Sequence, residues 1–484
     1  MGKNTETETE NNATGGCGMK QFTTSINELQ FGSRLVPSFY YYAKTLKDEN
    51  INKGIEYIKL GDYSTISDGE HSAIPRNNTS GIRYLYGRNI KEGVIDFDPI
   101  SDDSYIYQYD YDSFKRCQIN ENDVLIAIYG TVGKSAVYKS SYVGVAGIPR
   151  HIANITLKAS APITPEYLSA FFRSKYGKWQ MDSLMTGNIQ QLLSLKNLRA
   201  FDVPVLAPAK VKEVTEREKK ALECEIKAQG LLSQAREIFY AGLGFNVKTV
   251  KRDFTFSVSS QELFDSNIWS TSFYDKLYVK MADVIAKHNP VAALGTVTLL
   301  KHGDEVGSDN YKYFSEKDTE DKAFIRTSDI VNNELDLYPD YYIAEEVYQE
   351  IKQDIKSSDV VFTKDGKVGC VAMITEADNV IISSGLERLR LNPEGKKLGL
   401  TQEYIFMALS IPEVGRYSAI RRTVIASTIP HLREDRLKEI EIPIEDKGNI
   451  NKITKLVEEA FKLRVQRKKL IKEQDVAFQS YLEG

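Results

Sequence analysis

Residues Ala209 to Tyr240 read AKVKEVTEREKKALECEIKAQGLLSQAREIFY. The stretch is dense in Ala, Lys, Glu, Leu and Gln, holds a single interior glycine (Gly230) and has no proline after Pro208. That composition predicts one long helix. Its apolar residues are Val211, Val214, Ala221, Leu222, Ile226, Leu231, Leu232, Ala235, Ile238 and Phe239. They make one narrow stripe with charges elsewhere, the pattern of a helix that pairs with another helix. Pro208 in front and Gly242 and Gly244 behind mark its ends.

What flanks this helix occurs twice. Ser38-Phe39-Tyr40 answers Ser272-Phe273-Tyr274, and Leu60-Gly61 answers Leu294-Gly295, both at a separation of about 234 positions. Tyr84-Leu85 with Asn89-Ile90 parallels Phe324-Ile325 with Asp329-Ile330. Asn122-Asp123-Val124-Leu125-Ile126 and Gly130-Thr131-Val132-Gly133 align with Ser358-Asp359-Val360-Val361-Phe362 and Gly366-Lys367-Val368-Gly369. Thr164-Pro165-Glu166-Tyr167-Leu168 aligns with Thr401-Gln402-Glu403-Tyr404-Ile405. Asn188-Ile189-Gln190-Gln191-Leu192, leading to Val203-Pro204-Val205, aligns with Thr428-Ile429-Pro430-His431-Leu432, leading to Ile442-Pro443-Ile444. One such match arises easily by chance; six in conserved order do not. The offset drifts by a few residues, as loop insertions produce.

A second charged helix, Asn449 to Leu482, follows the second copy, with Ile450, Ile453, Leu456, Val457, Ala460 and Phe461 on its stripe. Two such helices, one per repeat, pair most simply as an antiparallel coiled coil. The expected class is α+β. A tail at 1–24 precedes a mainly-β globular domain at 25–207 and a helix at 208–245. A second mainly-β domain at 246–445 and a second helix at 446–484 complete the chain. Within the copies, strands are expected at Tyr57–Leu60, Val124–Tyr129, Ser135–Tyr138 and Ile152–Leu157, and at Val360–Thr363, Val371–Ile374 and Leu386–Leu391. Helices are expected at Pro165–Gln180 and Gln402–Ser410, opened by the N-caps Thr164 and Thr401.

Composition narrows the function. At 484 residues the chain exceeds one core. The 28 tyrosines and 20 phenylalanines suit half-buried strands. No run of about 18 apolar residues predicts a membrane span, and residues 1–18 have no apolar signal core. Gly2 does not open a myristoylation motif, because position 6 is Glu. Cys17, Cys117, Cys224 and Cys370 form no CxxC and read as reduced thiols in a cytosol. The five histidines are dispersed, so no metal site is expected. The net charge of −4 does not by itself advertise a nucleic-acid partner.

Enzyme motifs do not complete. Gly133-Lys134-Ser135 imitates the end of a P-loop, but the first glycine of that motif would have to be Ile128. Asp359 with Asp365-Gly366-Lys367 imitates a nuclease (D/E)xK, but the spacing is short and copy one has Tyr129 and Thr131 in place of Asp365 and Lys367. Asn289-Pro290 and Asn392-Pro393 continue to Val and Glu, unlike the tetrad of an amino-methyltransferase.

The closing stretch of each copy carries a resemblance. Thr186-Gly187-Asn188-Ile189-Gln190-Gln191-Leu192, then Leu198, then Phe201-Asp202-Val203-Pro204-Val205-Leu206 and a long helix, resembles the target-recognition domains of the specificity subunit of Type I restriction–modification systems. In that family a Gly-x-x-Gln-x-x-Leu loop and an Ile-Pro-like strand lead into a spacer helix. Gly130 to Lys134 and Gly366 to Gly369 look like the family's strand turn. The resemblance covers about residues 25–484. The second copy departs from it, with Pro430 and His431 placed against Gln190 and Gln191.

The resemblance implies a non-catalytic subunit that reads double-stranded DNA in the cytoplasm, as part of phage defence. It implies docking of two modification (methyltransferase) subunits and, where the system has them, motor-nuclease restriction subunits. S-adenosylmethionine is then expected on the methyltransferase partners and no cofactor on this chain. Independently, two readers on a stiff spacer suit a gapped, two-part site. A helix of about 31 residues spans roughly 45 Å, on the order of 13 base pairs. The competing reading is a scaffold that binds protein rather than DNA through its two repeats.

DNA contact needs cations for phosphates and Arg, Lys, Asn, Gln or His for base edges. The candidates in copy one are Arg83, Arg88, Lys134, Arg150, His151, Asn188 and Gln190. In copy two they are Lys301, His302, Arg326, Lys364, Lys367, Arg388, Arg421, Arg422 and His431. For each the alternative is a solvated surface charge. The Gly-x-Val-Gly pairs are expected to make tight turns with positive φ rather than to bind a ligand.

Overall fold

The computed structural model describes residues 53–76, 80–96, 105–130, 132–186, 191–253, 255–266, 268–313, 320–426 and 429–483. The expected tail at 1–24, Ser38-Phe39-Tyr40, Thr131, Thr428, Asn188 and Gln190 lie outside them.

Each copy is built around a four-stranded sheet. In copy one, β1 (Glu56–Lys59), β2 (Ser64–Asp68), β3 (Ile82–Tyr84), β4 (Ile90–Lys91), β5 (Val94–Ile95) and β6 (Tyr105–Ile106) precede β7 (Val124–Ala127), β8 (Ser135–Val137), β9 (Ala146–Gly147), β10 (Ile152–Leu157) and β11 (Asp202–Val205). The main sheet runs β2-β10-β7-β8, beside a small sheet β6-β3-β9, the hairpin β4-β5 and the closing pair β1-β11. Copy two has β12 (Val291–Ala293), β13 (Thr298–His302), β14 (Lys312–Tyr313), β15 (Lys322–Ile325), β16 (Ile330–Val331), β17 (Glu334–Leu335) and β18 (Tyr341–Ile343). It continues through β19 (Val360–Thr363), β20 (Val371–Met373), β21 (Val380–Ile382), β22 (Leu386–Leu391), the hairpin β23 (Val424–Ala426) and β24 (Ile429–His431), and β25 (Glu441–Pro443). Its order repeats the plan: β13-β22-β19-β20, then β14-β18-β15-β21, β16-β17 and β12-β25. The central strands are apolar on both faces, as a strand buried on both sides requires.

The helices repeat as well. Copy one has α1 (Pro165–Arg173), α2 (Lys175–Leu184) and the long α3 (Pro208–Gly242); copy two has α4 (Gln402–Ser410), α5 (Tyr417–Arg422) and the long α6 (Lys447–Glu483). Thr164 caps α1 by accepting from the Tyr167 amide, and Thr401 caps α4 by accepting from Tyr404. The same threonines meet Thr215 on α3 at 2.8 Å and Thr454 on α6 at 2.7 Å. Tyr167 and Tyr404 both donate their hydroxyls to the carbonyl of the proline in the closing strand, Pro204 and Pro443, at 2.8 Å. The single helix expected over Pro165–Gln180 is broken: Ser174 leaves helical geometry and accepts from the Gly177 amide, starting α2 afresh. Gly177 then packs against the Phe171 carbonyl, where a Cβ would collide.

α3 and α6 pair antiparallel. Arg217 donates to Gln474 at 2.8 Å, Glu225 faces Arg464 at 3.3 Å, and Tyr481 donates to Glu213 at 2.7 Å. Each end of the pair closes one core. Phe478 of α6 stacks on Phe171 and packs against Tyr167 in copy one. Phe239 of α3 meets Tyr404 and Phe461 of α6 meets Phe406 in copy two. The buried face of α3 includes Cys224, Glu225 and Ala228, while Leu222, Ile226, Leu231 and Ile238 of the expected stripe are half-buried.

The middle of the pair is polar. Arg464, Arg467 and Lys468 of α6 are buried against Glu225 of α3 and Glu334 and Asp378 of copy two. Arg464 also donates to the Asn332 carbonyl at 2.7 Å. From that turn the Asn332 amide reaches across to the Ile95 carbonyl of copy one at 2.9 Å. Lys134–Asp340 at 3.0 Å and Lys367–Asp96 at 3.8 Å join the two copies further. The globular copies are therefore in contact across the centre of the helix pair.

Candidate nucleic-acid interface

In each copy the main sheet ends in a tight turn that a closing segment covers. In copy one the turn follows β7: the Gly133 amide donates to Ala127 at 2.9 Å, and Ile128 donates to His151 at 3.0 Å. Gly130 and Gly133 have φ of 78° and 88°, and Gly366 and Gly369 have 62° and 89°, the left-handed region that favours glycine. A Cβ on Gly133 would lie 2.8 Å from Met181 Cγ, so the turn also needs the missing side chain. The closing segment then docks. Leu193 donates to the Ile128 carbonyl at 3.1 Å, and in copy two Leu432 donates to Lys364 at 2.8 Å.

These bonds move the repeat register by one. Leu432 corresponds to Leu193, not Leu192, and the bridges Tyr129–Leu192 and Asp365–His431 are equivalent. Pro430 and His431 therefore stand where copy one has Gln191 and Leu192. The slip arises because an LL pair lets two alignments score alike, while only one satisfies the backbone hydrogen bonds.

Copy one gathers cationic and aromatic groups at this edge. Arg150 is exposed and His151 half-exposed, with the His151 ring 5.5 Å from that of Tyr129. Asp68, at the end of β2, holds His71 at 2.8 Å and pairs with Arg116. Burial, followed by repulsion from Arg150 and His71, pulls the His151 pKa below its ordinary value. Burial also opposes ionisation of Asp68, but its bonds to Arg116 and His71 prevail and lower it. Tyr129, His71 and Arg116 are not among the residues nominated from sequence; the equivalence of the sheet ends is the signal that finds them.

Copy two gathers a more charged set. Lys301 and His302 are exposed on β13, in register with Arg388 and Glu387 of β22. Glu387 is fully buried and pairs with Lys364 at 3.2 Å. Burial raises its pKa, with Lys364 pulling the other way. Arg388 is itself buried and reaches Asp354 at 3.3 Å. His431 is exposed and pairs through Nδ1 with Asp365 Oδ1.

The remaining candidates sit elsewhere. Arg83 lies over Tyr105 at 5.5 Å and Arg88 over Tyr86 at 4.4 Å, beside the small sheet. Lys134 and Lys367 belong to the contact between copies, while Arg326, within copy two, reaches the same Asp340 at 3.1 Å and lies over the Tyr341 ring. Arg421 donates to the Phe273 carbonyl at 2.9 Å and lies over its ring, and Arg422 faces Glu439 at 3.5 Å. Burial lowers the pKa of both arginines. Among the described residues no group of three or more His, Cys, Asp or Glu has the arrangement to hold a metal ion.

Residues 304–473 match the family described as Type I restriction modification DNA specificity domain. No curated protein matches the chain. A Type I restriction–modification S subunit from M. genitalium is 12% identical, with 88% of this chain and 95% of that chain covered and a TM-score of 0.31. An HsdS subunit from Thermoanaerobacter tengcongensis is 13% identical, with 89% and 96% covered and a TM-score of 0.27.

Proposed function

We propose that this chain, a member of the Type I restriction–modification specificity family through the domain at residues 304–473, reads a gapped DNA site, one half with each copy. The observation that carries this is the duplicated scaffold whose equivalent edges present different side chains. Copy one offers Tyr129, His151, Arg150, His71 and Arg116; copy two offers Lys301, His302, Lys364 and the Asp365–His431 pair. A common backbone with unlike surfaces suits two unlike half-sites. Base-edge readout in the major groove needs such donors and acceptors, and phosphate contacts need the cations.

The helix pair is the spacer. α3 has 35 residues and so extends about 52 Å, the length of roughly 15 base pairs. In this reading the pair also docks two methyltransferase subunits, which bring S-adenosylmethionine and methylate adenine in each half-site. Motor-nuclease subunits join through that complex, which works on host and phage DNA in the cytoplasm. The chain itself supplies no catalytic group. Its net charge of −4 fits a reader whose partners share the phosphate clamp. Selection of duplexes from a random pool by the chain bound to its methyltransferase tests the proposal. Enrichment of one asymmetric, gapped sequence supports it; recovery without sequence preference rejects it.

A further inference from the structure

We infer that the two residues bridging the sheet turn to the closing segment, Tyr129 with Leu192 in copy one and Asp365 with His431 in copy two, set the base preference of one position in each half-site. The inference rests on the reading of the chain as a DNA reader. Around the bridge everything structural is shared: the positive-φ glycines, the buried Leu193 and Leu432, and the amide bonds these leucines donate to Ile128 and Lys364. The bridging side chains change character, from aromatic and aliphatic to an acid and an imidazole. They are also reachable. Tyr129 is 38% exposed, and the His431 and Asp365 side chains are 46% and 31% exposed.

The chemistry of the copy-two pair is specific. The Asp365 carboxylate has only acceptors to offer, so the hydrogen sits on His431 Nδ1. With the ring in that tautomer, Nε2 is left as an acceptor facing away from Asp365. An acceptor entering the major groove selects a base with an exocyclic amino group, adenine through N6 or cytosine through N4. Asp365 is the positioning residue. At the equivalent place copy one offers Leu192 and the Tyr129 ring, which reward apolar contact such as a thymine methyl instead.

The test uses the whole chain assembled with its methyltransferase subunits, with methylated sites mapped across a genome. His431→Leu and Asp365→Ala should both relax the preference at one and the same base pair by about tenfold or more, leaving the other half-site and the gap unchanged. A second pair of changes, Leu192→His with Tyr129→Asp, should impose an amino-base preference at one base pair of the other half-site. The inference is overturned if assembled variants keep the parent sequence, or if the two copy-two changes act at different base pairs or on the gap. Absence of any gapped sequence for the parent chain is a distinct outcome, which removes the DNA-reader reading itself.

Discussion

Lys134 Nζ stands 3.0 Å from Asp340 Oδ1, tying the turn of copy one to the second copy. Burial works against the Lys134 charge, but Asp336, Asp340 and Glu92 outweigh it and raise its pKa. The Asp340 side chain is 45% exposed, so the pair is partly screened. A double-mutant cycle with Lys134→Met and Asp340→Ala in urea unfolding should give a coupling of about 1 kcal/mol. The coupling should shrink in 1 M salt. No coupling at low salt would contradict the contact between copies.

The core of the helix pair behaves differently, because Glu225, Arg464 and Arg467 are all buried. Glu225→Ala leaves two guanidinium groups short of a partner. We expect a loss of about 3–5 kcal/mol, read as a lower denaturant midpoint. A loss below about 1 kcal/mol would mean that water reaches the centre of the pair.

Glu445 gives a pH signature. It lies against Gly242 at the end of α3, where a Cβ would collide with its carboxylate. Burial pushes its pKa up to about 7, against a small opposing bond from Asn449. A raised carboxylate contributes stability below its unfolded value near 4.5 that is lost as pH rises toward 7. Glu445→Gln should therefore raise Tm at pH 8 relative to the parent and give no gain at pH 4.5. Equal gain at both values would contradict the assignment.

The spacer can be lengthened. Seven residues inserted near Ala228 in α3 alone would carry Glu225 or its neighbours out of register with Arg464 and destabilise the pair. Matched insertions in α3 and α6 should instead add about 10 Å and widen the preferred gap by about three base pairs. The half-sites should stay as they are. An unchanged gap in a stable, lengthened chain would remove the spacer role.

Much of this organisation is legible in the sequence because it is local. The long helices follow from apolar spacing, the caps Thr164 and Thr401 from their position ahead of a helix, and the turns from paired glycines. The strands Ile152–Leu157, Val360–Thr363 and Leu386–Leu391 were expected with the bounds observed. What escapes is set by partners far along the chain. Nothing near Arg464 or Lys468 announces that both are buried, and a charge on an amphipathic helix normally faces water. Residue type nominates Arg421 or Lys134 as readily as His431 for DNA. Only the fold separates a guanidinium laid on Phe273, or an ammonium between two copies, from an imidazole at an open sheet edge.

As proposed above, this chain supplies sequence specificity to a methyltransferase. The most direct measurement is to map methylated adenines in host DNA with the chain present and with it deleted. The account predicts a gapped, asymmetric methylated sequence that disappears on deletion and returns with the intact chain. The same methylation with and without the chain would contradict it and favour the protein-binding scaffold.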